Sequence, residues 1–333
     1  MSEDVFELMQ KASVRRMERP TEHPLRDSQP LRRVEVPVLV HSSTIQDLGL
    51  TPFHLTRRAG FTRVVRGVVA HPTRKVSVDV PRWADERWMG VRLRVAALQL
   101  SRPEAVASHG TAALLHGWVL PGRMQRGDQI HLTTDVSAVR RREVVSHRYE
   151  VSDVLDAYGI RLTGLSETLR DIADGLSDVQ LLELLEGVCG HWHGTPSVTP
   201  EELLAAVPHW PRFRGSARLL RVVPYVRADV GSPQETQLRR TIVANGLPEP
   251  RVAHPVVIAG ITFHPDLSYP DLRIAIEYEG DHHRTDARQW DSDIRREGLF
   301  RDVGWAYFRV TRSTNMREFL DRLEAEVTHR NST

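Results

Sequence analysis

The stretch that decides how this chain is read is IAIEYEGDHH, Ile274 to His283. At a period of two, Ile274, Ile276 and Tyr278 point to one side of a strand, and Ala275, Glu277 and Glu279 to the other. Carboxylates two residues apart on one strand face repel unless a cation lies between or beside them. Just upstream, ITFHPDLSYP (Ile261 to Pro270) reads as a second strand in which Phe263, Pro265 and Leu267 alternate with His264, Asp266 and Ser268. Neighbouring strands that each present acid on one face make an oxygen-rich pocket of the kind Mg²⁺ prefers. A stripe of surface acids is the plainer alternative.

Around this pair the elements fall into a regular order. Ser232 caps a helix with Pro233 at its first position and Glu235 at the third, which is capping-box spacing. Helical spacing carries Glu235, Leu238 and Ile242 along one face, and Gly246 and Pro248 end the helix. RVAHPVVI, turned at Ala259-Gly260 onto ITFHPDLSYP, gives two strands and DLRIAIEYEG a third. ARQWDSDIRREGLFRDVG reads as a long helix, WAYFRVT as a fourth strand and STNMREFLDRLEAEV as a closing helix. The order is αβββαβα. Two readings of Glu235 stand: a helix cap and a site acid.

The preceding chain divides by composition. Residues 1–33 mix charge with prolines and read as a poorly ordered arm. In residues 34–80, STIQDLGL and TPFHLTRRA predict two short helices, the second capped by Thr51 with Pro52 at its first position. FTRVVRGVVAHP then predicts a hairpin turning at Arg66-Gly67. Helix, turn, helix and a basic two-stranded wing outline a winged helix. Arg57 and Arg58 at the helix end, with Arg63 and Arg66 on the wing, would meet DNA phosphates; a purely structural subdomain is the alternative. Residues 81–228 read as a mainly α middle domain with some β. SRPEAVASHGTAALLHGW is expected to open a helix with Ser101 and Glu104 in capping-box spacing. QIHLTT and REVVSHRY alternate as strands, and LSETLRDIADGL and DVQLLELLEGV are amphipathic helices. Residues 229–333 form the C-terminal domain.

Two local patterns carry less. Cys189, His191 and His193 in CGHWHG are an incomplete zinc set, and an ordinary helix end accounts for them. Ser108 and His109 read as the start of a packed helix. The chain shows no glycine-rich phosphate loop and no nucleophile elbow.

The 333 residues suffice for two or three domains, and 40% hydrophobic with 26% charged residues is ordinary for a soluble globular protein. Net charge is only +2, yet Lys11 and Lys75 are the sole lysines, so recognition of phosphate would fall to arginine forks. A single cysteine, Cys189, excludes an internal disulfide and fits a reducing cytoplasm. No apolar run approaches the length of a membrane span and the N-terminus lacks a signal-peptide core, so a cytoplasmic protein with no membrane partner is expected.

The C-terminal order, together with SPQET (Ser232 to Thr236), the Asp266 strand, EYEGDHH (Glu277 to His283), Asp291, Arg295, Leu299 and Gly304-Trp305 ending in FRVT, resembles the PD-(D/E)XK nuclease fold. More narrowly it is similar to very-short-patch-repair-like endonuclease domains found at the C-termini of actinobacterial proteins. The earlier stretches DLGLTPFHLTRRA, RVVRGVV and SHGTAALLHGW resemble proteins with an AbiEi-type antitoxin winged helix and its companion domain. The resemblance implies a restriction-endonuclease-like core and a Mg²⁺- or Mn²⁺-dependent DNA endonuclease. In that reading Asp266 and Glu277, with the Tyr278 carbonyl, hold the metal, Glu279 adds an oxygen, Glu235 orients the site, and His283 moves a proton or bonds the leaving group. The family pattern places a Lys, or another residue that positions water, where Glu279 stands, and the C-terminal half has no lysine. The antitoxin resemblance implies the rival: a non-enzymatic DNA-binding regulator with a toxin-like protein partner and a degenerate nuclease domain.

Overall fold

The structure, a computed structural model, describes residues 30–46, 60–125, 129–136, 138–190, 196, 198–280 and 296–332. It is of mixed α and β content, as the α+β reading of the sequence expects, and its contacts divide it into two units. The first comprises residues up to 176 with 193–197 and 211–218; the second comprises 177–192, 198–210 and 219–333.

In the first unit, β1 (Leu31–His41), β2 (Thr62–Val65) and β3 (Val68–Pro81) form an antiparallel sheet of order β1-β3-β2. The β2–β3 hairpin is the one expected from FTRVVRGVVAHP, turning at Arg66-Gly67 with Gly67 in the left-handed region at φ 86°. β1 was not foreseen. It begins inside the stretch read as a leader and pairs along β3 from Leu31 opposite Pro81. Of the two expected helices, the first is seen as Ser42–Gln46 and the second, with Arg57 and Arg58, lies outside the described residues.

Helix α1 (Glu86–Ser101) is capped by Asp85, whose side chain accepts from Trp88 N at 2.7 Å. Ser101 therefore ends a helix and does not open one; the expected capping box with Glu104 gives way to a turn at Pro103-Glu104. After it come β4 (Val106–Ala107), α2 (His109–Leu115), β5 (Ile130–Thr133), β6 (Val144–His147), β7 (Val154–Ala157), β8 (Ile160–Thr163) and α3 (Leu165–Ala173). The short strands join in one sheet, β6-β5-β4-β8-β7, in which β5 and β6 run parallel. Trp88, Leu98, Leu115, Leu132 and Leu162 are buried together beneath it.

The second unit opens with α4 (Asp178–Cys189) and α5 (Pro200–Ala206), each held by a complete capping box. After α6 (Ser216–Val222), α7 (Pro233–Ala244) leads into the C-terminal strands. The two long strands expected before residue 270 are each cut in two. β9 (Arg251–Val252) pairs with β12 (Leu267–Tyr269), while β10 (Val256–Ile258) pairs with β11 (Ile261–Phe263) as a separate ribbon. Pro255 and Pro265 stand in the two breaks. Each lacks the N–H that a continuous ladder needs. The ribbon turns where expected, at Ala259-Gly260, and both residues have positive φ (50° and 77°), as a two-residue hairpin loop requires.

β12 continues into β13 (Ile274–Glu279), which pairs in parallel with β14 (Ala306–Thr311) across a connection whose described end is helix α8, residues 296–302. Helix α9 (Met316–Asn331) closes the chain. The sheet order is β14-β13-β12-β9. Alternation along β13 holds: Ile274 and Ile276 join Leu238, Ile242, Phe319 and Leu323 on one face. Ala275 joins Val256, Ile258 and Phe300 on the other.

The contact division groups α4 with the C-terminal strands, whereas the composition boundary falls near residue 229. The physical link is a buried ion pair. Glu186 on α4 meets Arg239 on α7, both side chains essentially without solvent exposure. Glu186 also accepts from Thr236 Oγ1 at 2.6 Å and Arg227 N at 3.0 Å, and Arg239 reaches Glu249 as well. A buried charge left without its partner is strongly unfavourable, whereas an apolar pair of like volume is tolerated. Accordingly, Glu186→Leu and Arg239→Met should each lower stability by about 3–5 kcal/mol, and the double variant by much less. Urea unfolding of the four proteins checks this; strictly additive losses would contradict it.

Candidate active site

The C-terminal end of β13 carries the acids that the sequence singles out. Extending the β12–β13 register by one rung from Leu267 opposite Ile276 sets Asp266 across from Glu277. Asp266 lies just before β12, at the Pro265 break, not within a continuous strand. Its Oδ2 accepts from Tyr278 N at 2.7 Å, which anchors it against β13. Burial raises the Asp266 pKa, and the Tyr278 amide and the Arg296 charge pull against that rise.

Glu277 and Glu279 share one strand face, and arginines from two other elements answer their repulsion. Arg296, at the start of the described part of α8, contacts Glu277 at 2.5 Å. It also donates to His264 O at 3.3 Å and lies over the Phe263 ring at 5.6 Å. Arg309 on β14, in register with Glu277, pairs with Glu279 at 2.7 Å and with Glu297 at 3.3 Å. Parallel strands put these partners side by side, and Tyr307, on the same face, is pushed up in pKa by burial and by the Glu277 charge. Neither arginine was identified as part of the site from sequence. Arg309 had a legible signal, since it recurs at period two on a strand that the αβββαβα order sets beside β13.

Glu235 enters from α7. Ser232 Oγ accepts from Glu235 N at 3.3 Å and donates to Glu235 Oε1 at 2.8 Å. In a capping box the Glu would bond the cap residue's own amide; here its Oε2 accepts from Gly231 N, one residue earlier, at 2.7 Å. Glu235 is thus a cap of α7, bonded at both carboxylate oxygens to the turn before it. Burial first, and the Asp266 charge second, push its pKa up to about 7.

The sequence expectation put one metal among Asp266, Glu277 and Glu279. Among the described residues these three do not present oxygens all within 4.8 Å of one another; the group of side chains that does is His109, His131 and His147 in the first unit. The carboxylates engage separately, through Tyr278 N, Arg296 and Arg309. His283, with its neighbour His282, and Asp291 and Arg295 lie outside the described residues, as do His191 and His193. Cys189 is buried and its thiol is pushed up to about 12, chiefly by burial, so it stays protonated. On the β2–β3 hairpin, Arg63 and Arg66 are exposed, and the Arg66 carbonyl accepts from Arg141 at 2.7 Å. No helix among the described residues is long and apolar enough to cross a membrane.

No family model matches the chain and no solved structure does. Two uncharacterized proteins of Mycobacterium tuberculosis, from strains CDC 1551 / Oshkosh and ATCC 25618 / H37Rv, are each 25% identical to it over 230 residues, 68% of this chain and 81% of theirs.

A carboxyl group whose folded pKa is raised keeps a proton that the unfolded chain releases, so its contribution to stability declines as pH rises from the ordinary 4.5 to about 7. Glu235→Gln should flatten that decline, and Asp266→Asn should lower the Glu235 midpoint. Carboxyl-resolved NMR titration reads both, and a Glu235 midpoint near 4.5 in the unaltered protein would refute the coupling.

Proposed function

We propose that the C-terminal unit is a divalent-cation-dependent endonuclease that hydrolyses phosphodiester bonds in DNA, served by the basic hairpin of the first unit. The observation that carries this reading is the Asp266–Glu277 rung at the carboxyl end of a parallel strand pair. Glu235 is coupled to it electrostatically from the N-terminus of α7. Open sheets bind ligands at the carboxyl ends of their strands.

The donor set fits Mg²⁺ or Mn²⁺, because it is made of hard carboxylate oxygens; burial, and after it the Asp266 charge, already lift Glu235. Asp266, Glu277 and the Tyr278 carbonyl would hold the ion; Glu279, paired with Arg309 and not gathered with the other two, would add an oxygen only once that ion pair opened. When bound, such an ion offsets charge on the scissile phosphate and lowers the pKa of water. Glu235, titrating near 7, is suited to take a proton from the attacking water at neutral pH. Arg296 now neutralises Glu277 and on substrate binding would turn to the phosphate, for which its fork is suited. Arg63 and Arg66 would contact the DNA backbone.

One observation favours the rival reading. Glu277 and Glu279 are both satisfied by arginines, and an acid stands where the family pattern has lysine. A non-catalytic, antitoxin-like DNA-binding regulator with a toxin-like partner accommodates that arrangement. Supercoiled plasmid with Mg²⁺ or Mn²⁺ separates the two. The endonuclease reading expects nicking that Glu277→Ala or Asp266→Asn abolishes, and Arg63→Ala with Arg66→Ala should weaken DNA retention on a filter with a shallower salt dependence. Metal-dependent cleavage absent from every DNA substrate would leave the regulator standing.

A further inference from the structure

The first unit holds three histidines that neither the sequence reading nor the proposed nuclease uses. His109 stands at the start of α2, His131 on β5 and His147 on β6. One ring nitrogen of each lies within 4.8 Å of the others. The ring of His147 stacks on that of His109 with centroids 3.5 Å apart, and His131 Nδ1 is 3.0 Å from His147 Nε2. Parallel β5 and β6 set Thr133 opposite His147, which puts His131 and His147 two rungs apart on the same face of the sheet.

The surroundings orient the cluster. His109 Nδ1 lies 3.2 Å from Asp171 Oδ2, and its backbone N donates to the same oxygen at 3.2 Å. The other Asp171 oxygen accepts from Tyr149 at 2.5 Å, so the carboxylate is fixed from both ends. His109 is held at φ 51°, in the left-handed region that a non-glycine residue enters at a cost, and such strain persists where surrounding structure over-determines it. A serine-hydrolase reading of Ser108, His109 and Asp171 fails on geometry. Ser108 Oγ, at 3.1 Å, faces the same His109 Nδ1 that faces Asp171, so one ring nitrogen would have to serve both partners. Ser108 Oγ also accepts from Thr133.

We propose that His109, His131 and His147 form a binding site for a Zn²⁺-class transition-metal cation. Three imidazoles leave a fourth position open to water or a ligand, the pattern of reactive zinc centres, whereas closed structural sites use four protein ligands. Imidazole suits Zn²⁺ and its neighbours, and a carboxylate on the far nitrogen of a ligand histidine fixes its tautomer and raises its basicity. Asp171 stands in that relation to His109 and is a positioning residue. With Zn–N bonds of ~2.0–2.1 Å, two nitrogens on one tetrahedral ion lie roughly 3.3 Å apart, close to the 3.0 Å found between His131 and His147. Coordination turns the rings about χ2 from their stacked arrangement and replaces that hydrogen bond by two bonds to the ion.

The test uses the full chain, stripped with a chelator and titrated with Co²⁺, whose visible spectrum reports coordination, and then with Zn²⁺ in competition. The expected result is one ion per chain with a four-coordinate spectrum, displaced by Zn²⁺ and untouched by excess Mg²⁺. Binding should be lost in His131→Ala and His147→Ala and weakened about 10–100-fold in Asp171→Asn. A spectrum that stays that of aqueous Co²⁺, or undiminished binding in folded His131→Ala and His147→Ala variants, overturns the proposal. Should those variants fail to fold, imidazole NMR resonances of the unaltered protein decide: Zn²⁺ must shift all three, and unshifted resonances overturn it.

Discussion

Glu186 and Arg239 form the constraint on which the C-terminal unit is built. Each is a charge taken wholly out of water, and each is tolerable only because the other is there. The pair ties α4 to α7, and Thr236 and Arg227 bind the same carboxylate. With α7 fixed this way, its N-terminus is fixed too, and Glu235 sits where the Asp266 charge is felt. A residue in the middle of the sequence therefore sets the position of a candidate catalytic acid far along it.

The acids themselves show how a sheet manages like charges. Glu277 and Glu279 on one face would destabilise β13 if left alone. Arg309 reaches Glu279 from a parallel neighbour, and Arg296 reaches Glu277 from the helix between the strands. The same cations that stabilise the fold neutralise the site. If the proposed nuclease is right, substrate phosphate would compete for arginines already in use.

Much of the C-terminal unit was legible in order and in faces. The period-two pattern of β13, the cap at Ser232, the turn at Ala259-Gly260 and the strand WAYFRVT are local signals and appear in the fold, whereas the parallel pairing of that strand with β13 does not show in the sequence. The splitting of the two strands near Pro255 and Pro265 was written in the sequence too, yet the alternation on either side masked it. In the first unit, Ser101 and Glu104 have capping-box spacing but lie past the end of a helix that Asp85 begins. A spacing rule cannot see a helix already running. In the five-stranded sheet β5 and β6 fall in the stretches read as strands from their alternation, whereas β4, β7 and β8, of two to four residues, are too short for periodicity to register.

The sequence by itself determined which residues alternate, where helices begin and end, and that acids accumulate at the end of one strand, because these depend on neighbours within a turn or a pleat. Only the tertiary structure decided what meets what: Glu186 with Arg239, Arg296 with Glu277, and three histidines from separate elements at one sheet edge. Such meetings depend on burial and on strand register between distant segments. Neither leaves a periodic trace in the chain.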